Sequence, residues 1–370
     1  MSQVKRVLIV GSGIGGATAA YALRRAGVDV HCIDIKPGIP SAGSGICLLH
    51  NTVRALDMIG LAEPCLDSGM RFDAFRQFDS SGQLLRSNPA PPSCGIRRPE
   101  LARILESAAQ GAGAVLDKGL TIEHLDDRGD CVEVKFSDGR EAAYDLVVAA
   151  DGAYSKLRDQ VFGAECRPRF AGQSVWRFNA PRPAQIDGFC LYRSPSGKTV
   201  GSFPTSEDSC YLFYLENSAE PLRVPEDQAK AMIRERLAEY TAPAVLEALE
   251  QVTDARQVIF RPLDITLVPA PWYRGRVVLI GDAAHSPTPH MTSGGGMAIE
   301  DAVVLADCIS KTQSVNEALA MYSERRFERC KIICEASLQL CRYEQEDPLK
   351  NREQSAALLL KTYQYLGQPI

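Results

Sequence analysis

The chain lacks the features that define several protein classes. No stretch of its 370 residues approaches the roughly 20 consecutive apolar residues of a membrane helix, and its N-terminus lacks the apolar run of a secretory signal. It contains no internal repeat and no low-complexity segment. A formal net charge of -5 leaves no broad basic face for a nucleic acid or an anionic membrane. The length of 370 residues fits one large α/β unit or two interlocked units.

The twelve cysteines do not form a disulfide or metal pattern. They are scattered singly, and no C-x-x-C pair occurs among them. Cys330, Cys334 and Cys341 fall on one face of a predicted helix that has no histidine nearby. We therefore predict buried thiols rather than a metal site, and a reducing, cytoplasmic location.

A glycine-rich turn near the N-terminus carries the first functional signal. Residues 4–10 form a run suited to a strand buried on both faces, and G-x-G-x-x-G follows at Gly11, Gly13 and Gly16. The first glycine lets the chain turn, the second lets the backbone approach a pyrophosphate, and the third permits close helix packing. Asp34 ends the next predicted strand, where a carboxylate can bind a ribose. The turn predicts a dinucleotide site but leaves NAD and FAD open.

Two later segments distinguish between these cofactors. D-G-A-Y-S-K-L-R at 151–158 and G-D-A-A-H at 281–285 each follow a short apolar strand. With the glycine turn, in this order and spacing, they resemble the FAD-dependent aromatic-ring hydroxylases, the class A flavoprotein monooxygenases typified by salicylate and hydroxybenzoate hydroxylases. The resemblance covers nearly the whole chain and is weakest over residues 171–267.

The resemblance implies a set of FAD-binding residues. Asp282 corresponds to the residue that binds the ribityl chain, Arg98 to the arginine of an R-x-x-L motif near the flavin phosphate, and Pro289 to a proline beside the isoalloxazine ring. Asp151, with Ser155 and Arg158, corresponds to a segment associated with the FAD pyrophosphate and with NAD(P)H. The implied cofactor residues are Gly11, Gly13, Gly15, Gly16, Asp34, Arg98, Asp151, Asp282, Pro289, Gly294 and Gly295.

The glycines at 294–296 open a predicted helix whose N-terminus carries a partial positive charge. In the family this helix start faces the flavin N1 and C2 carbonyl, where reduction places negative charge. Ser293 and Gly295 depart from the commoner G-Q-G, which leaves the dipole intact but changes the side chains near the pyrimidine ring.

The implied reaction uses FAD with NADH or NADPH as co-substrate. In the family the reduced flavin and O₂ form a C4a-hydroperoxide that attacks an electron-rich ring, so a base that removes a phenolic proton helps. The catalytic candidates are His290, His50, Tyr211 and Tyr214. The substrate-binding candidates are Cys47, Arg177, Tyr192, Pro289 and His290, with Arg193 as a further partner for a substrate carboxylate. A loop position for His290, or a core position for either tyrosine, remains the alternative.

We expect an α/β fold in which a Rossmann-like, glutathione-reductase-like βαβ FAD-binding domain carries an inserted, mainly antiparallel substrate sheet and C-terminal helices. The FAD-binding domain is predicted at 1–70, 95–170 and 268–370, and the substrate domain at 71–94 and 171–267. Hairpins are predicted at 71–85 and 132–143, and helices near residue 99, at 226–240, from about 294 and over 316–364.

The function indicated is hydroxylation of a small electron-rich aromatic or N-heteroaromatic compound by a monomer or homodimer that needs no nucleic acid, membrane or metal. A flavin halogenase, a flavin reductase and a flavin-binding sensor remain alternatives. The halogenase motif W-x-W-x-I-P does not occur in the sequence.

Overall fold

The structure, a computed structural model, describes residues 4–40 and 43–370. Residues 1–3 and 41–42 of the first predicted FAD-binding segment therefore lie outside the described residues. The strands are β1 (Arg6–Val10), β2 (Asp29–Asp34), β3 (Gly45–Leu48), β4 (Met70–Asp79), β5 (Leu84–Arg97), β6 (Val115–Lys118), β7 (Ile122–Asp127), β8 (Val132–Phe136), β9 (Glu141–Tyr144), β10 (Leu146–Ala149), β11 (Arg169–Pro181), β12 (Phe189–Arg193), β13 (Thr199–Pro204), β14 (Ser209–Asn217), β15 (Val258–Leu267), β16 (Tyr273–Arg274), β17 (Val277–Leu279) and β18 (His285–Ser286). The helices are α1 (Ile14–Arg25), α2 (His50–Met58), α3 (Ala62–Asp67), α4 (Arg98–Gly111), α5 (Lys156–Phe162), α6 (Glu226–Arg236), α7 (Pro243–Glu250), α8 (Gly294–Lys311), α9 (Val315–Glu346) and α10 (Arg352–Leu366).

A six-stranded sheet in the order β16-β17-β10-β1-β2-β6 contains the predicted βαβ unit. Its strands run parallel except β16, and the ends of neighbouring strands are in register, with Val10 beside Ala149 and Ala149 beside Leu279. All four residues of β10 are buried, as expected for a parallel strand covered on both faces. The Rossmann-like part of the predicted fold is confirmed.

A nine-stranded sheet in the order β18-β15-β11-β14-β13-β12-β4-β5-β3 forms the second layer. Its pairings are antiparallel except for β12 with β4, which confirms the mainly antiparallel sheet and the hairpin at 71–85. The proline-rich residues 89–92 lie inside β5. β3 pairs only with residues 94–97 of β5, so the prolines border an edge where no N–H donor is needed.

Helices α6 and α7 cover one face of this sheet and close a second hydrophobic core. Trp176 and Tyr214 from the sheet pack there with Ile233 of α6 and Val245 of α7. The helix predicted at 226–240 ends earlier, at Arg236, and α7 was not predicted. The hairpin at 132–143 is confirmed as β8 and β9.

The C-terminal tail forms α9 and α10 rather than one continuous helix. Pro348 follows α9, and the Asp347 carboxylate accepts hydrogen bonds from the next backbone N–H groups, which turns the chain. Arg54 and Arg329 donate to carbonyl oxygens at the end of α10 and hold it against the body of the protein. The division into an FAD-binding and a substrate domain stays a prediction. Among the described residues, no helix is both long and apolar enough to cross a membrane.

Candidate active site

The glycine turn after β1 has the geometry of a phosphate-binding loop. A Cβ on Gly11, whose φ is +101°, would lie 2.4 Å from the carbonyl oxygen of Ala150, and one on Gly16 would lie 1.8 Å from the carbonyl oxygen of Gly11. A Cβ on Gly13 would meet no atom within 4 Å. Packing therefore requires Gly11 and Gly16, whereas Gly13 borders open space at the N-terminus of α1, where an anion is favoured.

Asp34, at the end of β2, is fixed beside this turn. Its Oδ2 accepts hydrogen bonds from the backbone N–H of Ser12 at 2.9 Å and from its hydroxyl at 3.0 Å, and its Oδ1 accepts from the N–H of Lys36. Burial disfavours the charge, but these donors lower the pKa of Asp34 below its ordinary value. An ionised carboxylate at this position suits the predicted contact to a ribose.

The three signature segments meet at one edge of the parallel sheet. Gly11 follows β1, Asp151 follows β10 and Gly281 follows β17, and these three strands are adjacent. The carboxyl ends of neighbouring parallel strands form the usual ligand-binding edge of such a sheet. Segments far apart in the chain are therefore brought to one place.

Arg98 and Asp282 line a recess near this edge. Arg98 begins α4, Asp282 lies in a 3-10 turn after β17, and both side chains are accessible. Burial nevertheless lowers the pKa of Arg98 and raises that of Asp282, and each charge opposes the shift of the other. Side chains that are accessible yet deep within the fold line an internal recess, which suits a large buried ligand.

Two of the glycines serve to pack α8 against the glycine turn. A Cβ on Gly15 would lie 3.3 Å from the Cβ of Ala298, and one on Gly281 would lie 2.9 Å from it. Gly295 approaches Ile46 even more closely, since an added Cβ would lie 2.6 Å from the Cδ1 of Ile46. A Cβ on Gly294 would meet only Pro287, at 3.5 Å, so this glycine opens the helix without a comparable restriction.

The segment at 151–158 is tied to the turn that carries Asp282. The buried Arg158 donates from Nη1 to the carbonyl oxygens of Ala153 at 2.8 Å and Ala283 at 3.3 Å. Ser155 caps α5, and Asp151 accepts from the N–H of Lys156, while burial raises the pKa of Asp151. Arg158 thus binds backbone, so its side chain joins two of the three signature segments.

A buried ionic network, which the sequence analysis did not identify, holds α8, α9 and the Asp282 turn together. Asp301 accepts from the N–H of Gly281 at 2.8 Å, contacts His285 Nε2 at 2.6 Å, and accepts from Arg326 Nε at 2.7 Å. Glu300 accepts from Arg326 and also from Arg329. The sequence does contain one signal for this network: Glu300 and Asp301 are adjacent acidic residues inside the apolar stretch M-A-I-E-D-A-V-V-L-A.

The charges in this network show that it is a set of ion pairs and not a metal site. Burial opposes ionisation, but His285 and Arg326 lower the pKa of Asp301. Burial likewise opposes a charged imidazole, but Cys330 and Asp301 raise the pKa of His285 above its ordinary value. His285, Asp301 and Cys330 lie close enough to hold a metal ion, yet Arg326 already donates to both Asp301 and Cys330. The guanidinium supplies the positive charge there.

A chamber of about 1150 Å³ lies between the large sheet, the loop before α8 and the C-terminal helices. Residues from three parts of the fold line it. The loop and the start of α2 contribute Leu49, His50, Pro289, His290 and Thr292, the sheet contributes Phe75, Phe189, Leu191, Arg193 and Phe213, and the last two helices contribute Glu344, Arg352, Leu359 and Tyr363. Aromatic and aliphatic walls with a few charged groups are typical of a site for a small ring compound.

Several predicted residues border the chamber. His50, Pro289, His290 and Arg193 line it, and Tyr214 lies at its edge although its side chain is buried in the second core. Burial lowers the pKa of His50, and Arg54 lowers it further.

Four other predicted residues lie elsewhere, as judged over the described chain. Tyr192 packs into the second core and stacks on Phe78 with ring centroids 5.0 Å apart, because Leu191 and Arg193 take the chamber face of the alternating strand β12. The expectation that Tyr192 contacts substrate is corrected accordingly.

Cys47, Tyr211 and Arg177 are the other three, and none of them is among the chamber-lining residues of the described chain. Cys47 and Tyr211 pack into a small aromatic cluster behind the chamber wall. Burial raises the pKa of Tyr211, while the nearby charges of Arg177 and Arg98 and a hydrogen bond from Arg177 lower it. Arg177 and Tyr211, predicted as a substrate-binding and a catalytic residue, therefore lie toward Arg98 and not on the chamber wall.

His290 has a partner that the sequence did not reveal. Its Nδ1 lies 3.0 Å from Thr288 Oγ1, and its Nε2 lies 3.4 Å from Oε2 of Glu344 on α9. The two residues are far apart in sequence, and no local motif links them. The loop before α8 and the end of α9 thus meet at the chamber wall.

Comparison with known proteins gives concordant results. The family model described as "FAD binding domain" matches residues 5–337. The aurachin C monooxygenase/isomerase of Stigmatella aurantiaca is 32% identical over 336 residues, which cover 87% of this chain and 85% of that protein. The 6-hydroxynicotinate 3-monooxygenase of Pseudomonas fluorescens is 29% identical over 352 residues, covering 89% of each chain. A crystal structure of a Klebsiella pneumoniae HpxO variant with FAD superposes with a TM-score of 0.84 at 26% identity, covering 98% of this chain and 94% of that one.

Proposed function

The chain belongs to the FAD binding domain family and is an FAD-dependent monooxygenase, and on this basis we propose that it hydroxylates a small, electron-rich aromatic or N-heteroaromatic ring inside the chamber. The observation that carries the proposal is the meeting of three signature turns at the ends of β1, β10 and β17, with the chamber alongside. The named relatives act as monooxygenases on heteroaromatic compounds, which supports the same reaction class here.

The residues at the sheet edge fit FAD. Gly13 leaves room for a pyrophosphate at the N-terminus of α1, and Asp34 is placed for the adenosine ribose. Arg98 and Asp282 line the recess, and in this proposal they would bind the phosphate and the ribityl hydroxyls, respectively. Pro289 lines the chamber side of the same region. When bound and reduced, FAD would activate O₂, from which such an enzyme inserts one oxygen atom into its substrate.

The protein itself contributes binding and water exclusion. Phe75, Phe189 and Phe213 provide flat apolar walls against which a planar ring can pack, and Tyr363 of α10 stacks on Phe75 with ring centroids 6.4 Å apart. Because α10 closes one side of the chamber, a bound ring is held away from bulk water. Arg193 adds a positive charge that favours a deprotonated substrate.

The remaining assignments belong to the same proposal. The glycine pattern occurs once, so NADH or NADPH is expected to be handled in the same cleft rather than by a separate domain. Twelve free cysteines support a reducing, cytoplasmic location. The working assembly is a monomer or a homodimer.

Oxygen transfer tests the proposal directly. Purified protein loaded with FAD is mixed with NADH or NADPH, candidate ring compounds and ¹⁸O₂. We expect the substrate to accelerate NAD(P)H oxidation and one ¹⁸O atom to enter the product. Oxidation that is independent of substrate and yields only peroxide would contradict hydroxylation, as would a halogenated product formed in the presence of halide.

A further inference from the structure

We infer that Glu344, rather than the histidine beside it, is the group that meets the substrate's acidic proton, and that His290 positions this carboxylate. The ligand is then a ring compound that presents an N–H or O–H donor toward the end of α9. The inference rests on the proposed function and deepens it, because it names the acceptor within the same chamber.

Accessibility separates the two side chains. The side chain of Glu344 is 41% exposed, whereas that of His290 is 3% exposed. Both residues line the chamber, so the exposed surface of Glu344 is available to a ligand there. His290 therefore lies behind the carboxylate as seen from the chamber.

The ring nitrogens of His290 are both turned toward protein atoms. Nδ1 faces the hydroxyl of Thr288 at 3.0 Å, and Nε2 is buried and faces Glu344 Oε2 at 3.4 Å. Because its side chain is only 3% exposed, this histidine offers almost no surface to a ligand in the chamber. It can instead orient the carboxylate, as an imidazole does in other acid–base pairs.

Groups from the loop before α8, from β11 and from β12 keep Glu344 ionised. Gln173 of β11 donates to Oε2 at 3.4 Å, and Arg193 of β12 contributes positive charge. The position of Glu344 deep in the chamber, away from bulk water, opposes ionisation, but His290, Gln173 and Arg193 together lower its pKa below the ordinary value. Arg352 of α10 lies close enough to Arg193 to lower the pKa of that arginine, after the larger effect of burial.

This arrangement selects the chemistry of the ligand. Phe75, Phe189, Phe213 and Tyr363 favour a flat ring, and the Glu344 carboxylate offers only acceptor atoms. A ligand that points a carboxylate at Glu344 is repelled, whereas one that points a hydroxyl or a ring N–H is bound. Hydroxylated and oxo N-heteroaromatic compounds present such donors.

The proton transfer involves only the substrate and the Glu344 carboxylate. The bond between the substrate heteroatom and its hydrogen breaks, its electron pair stays on the heteroatom, and the proton passes to an oxygen of Glu344. The ring becomes richer in electrons and so more reactive toward electrophilic oxygen. Since Glu344 is exposed in the chamber, the proton returns to water after the product leaves.

The test compares Glu344→Gln with wild type, using FAD-loaded protein and three probes: 6-hydroxynicotinate, urate and 4-hydroxyquinoline. Difference spectra of the bound probe report its ionisation, and NAD(P)H oxidation with product formation reports turnover. We expect Glu344→Gln to keep its FAD, to bind the probe un-ionised and to lose about 10²-fold or more in turnover. Glu335→Gln, an exposed glutamate on the same helix, is the matched control and should behave as wild type.

A positioning role for His290 has its own signature. His290 lowers the pKa of Glu344, so His290→Gln should raise that pKa, and the acid limb of the pH–rate profile should move to higher pH. A purely structural defect would lower the rate without moving that limb. Glu344→Asp, which retains a carboxylate, should recover part of the turnover and shows whether a loss in Glu344→Gln reflects folding.

The outcomes separate the inference from the proposed function. If wild type binds FAD but oxidises NAD(P)H without probe-dependent hydroxylation of any ring compound, the proposed function fails. If wild type hydroxylates a probe and Glu344→Gln matches it in rate and in probe ionisation, the role of Glu344 is overturned. If wild type hydroxylates other aromatic compounds yet binds none of the three probes, the ligand class is overturned.

Discussion

Asp301→Asn should destabilise the protein strongly, because this buried carboxylate holds three partners at once. It accepts from Gly281, contacts His285 and pairs with Arg326, whose side chain is only 1% exposed. Removing one member of a buried ion pair costs about 3–5 kcal/mol because the remaining charge stays buried without compensation. An unfolding entropy of about 2.1 cal/mol/K per residue over a chain of this length converts that loss to a decrease of about 4–6 °C in Tm.

Thermal and urea unfolding of the FAD-loaded protein measure this loss. Asp307→Asn is the matched control, since Asp307 lies on the same helix but pairs with Lys311 and Arg325 near the surface. Such pairs contribute about 0–1 kcal/mol, so this variant should stay within about 1 °C of wild type. If Asp301→Asn were as stable as Asp307→Asn, the network would not hold the α8–α9 region together and the argument would fail.

Three further predictions follow from the site. Gly16→Ala should fail to fold normally, because its Cβ would overlap the carbonyl oxygen of Gly11. Gly13→Ala should give a wild-type circular dichroism spectrum but bind FAD weakly, because its Cβ would enter the space left for the phosphate. Tight FAD binding by Gly13→Ala would refute the phosphate site. Asp282→Ala should raise the Kd for FAD by roughly 10–100-fold through loss of a charged hydrogen-bond acceptor, and full flavin occupancy after dialysis would count against this. Because the pKa of Glu344 is lowered in the folded state, its ionised form should stabilise the fold above the ordinary pKa of about 4.3, and this stabilisation should be lost as the pH falls through the lowered pKa. In acid unfolding, His290→Gln should lose less stability over this pH range than wild type. Identical acid-unfolding profiles of the two proteins would argue against the pairing of His290 with Glu344.

The cofactor edge was predictable because its signals are local. Gly11, Gly13 and Gly16 sit between a buried strand and a helix, a context that the sequence itself displays. The other two signature segments also follow short apolar strands, and parallel strands of one sheet place their carboxyl ends together. The positions of Gly11, Asp151 and Gly281 relative to one another follow from this regularity.

The substrate-binding residues were less predictable, because the alternation of side chains along a strand does not say which set faces the chamber. β12 carries Leu191 and Arg193 on the chamber face and Tyr192 in the second core, and only knowledge of the facing layers distinguishes these choices. An aromatic residue suits either face, so nothing in the sequence indicated that Tyr192 would lie in the core. Arg193, the predicted partner of a substrate carboxylate, lies on the chamber face.

Ion pairs between residues far apart in the chain could not be predicted from the sequence, for a different reason. Glu344 meets His290, and Arg326 meets Asp301, only because α8, α9 and the preceding loop pack together. Their identities as charged residues were visible in the sequence, but their partners depend on tertiary geometry. A single sequence carries no signal for such pairings beyond the cost of leaving a buried charge alone.

The central claim is that three separated segments form one FAD site, and a binding titration of flavin-free protein tests it most directly. Following flavin fluorescence, we expect saturation at one FAD per chain for wild type and a large loss of affinity for Gly13→Ala, whose fold is otherwise unchanged. Failure of folded wild-type protein to take up FAD, or equal binding by both proteins, would contradict the account.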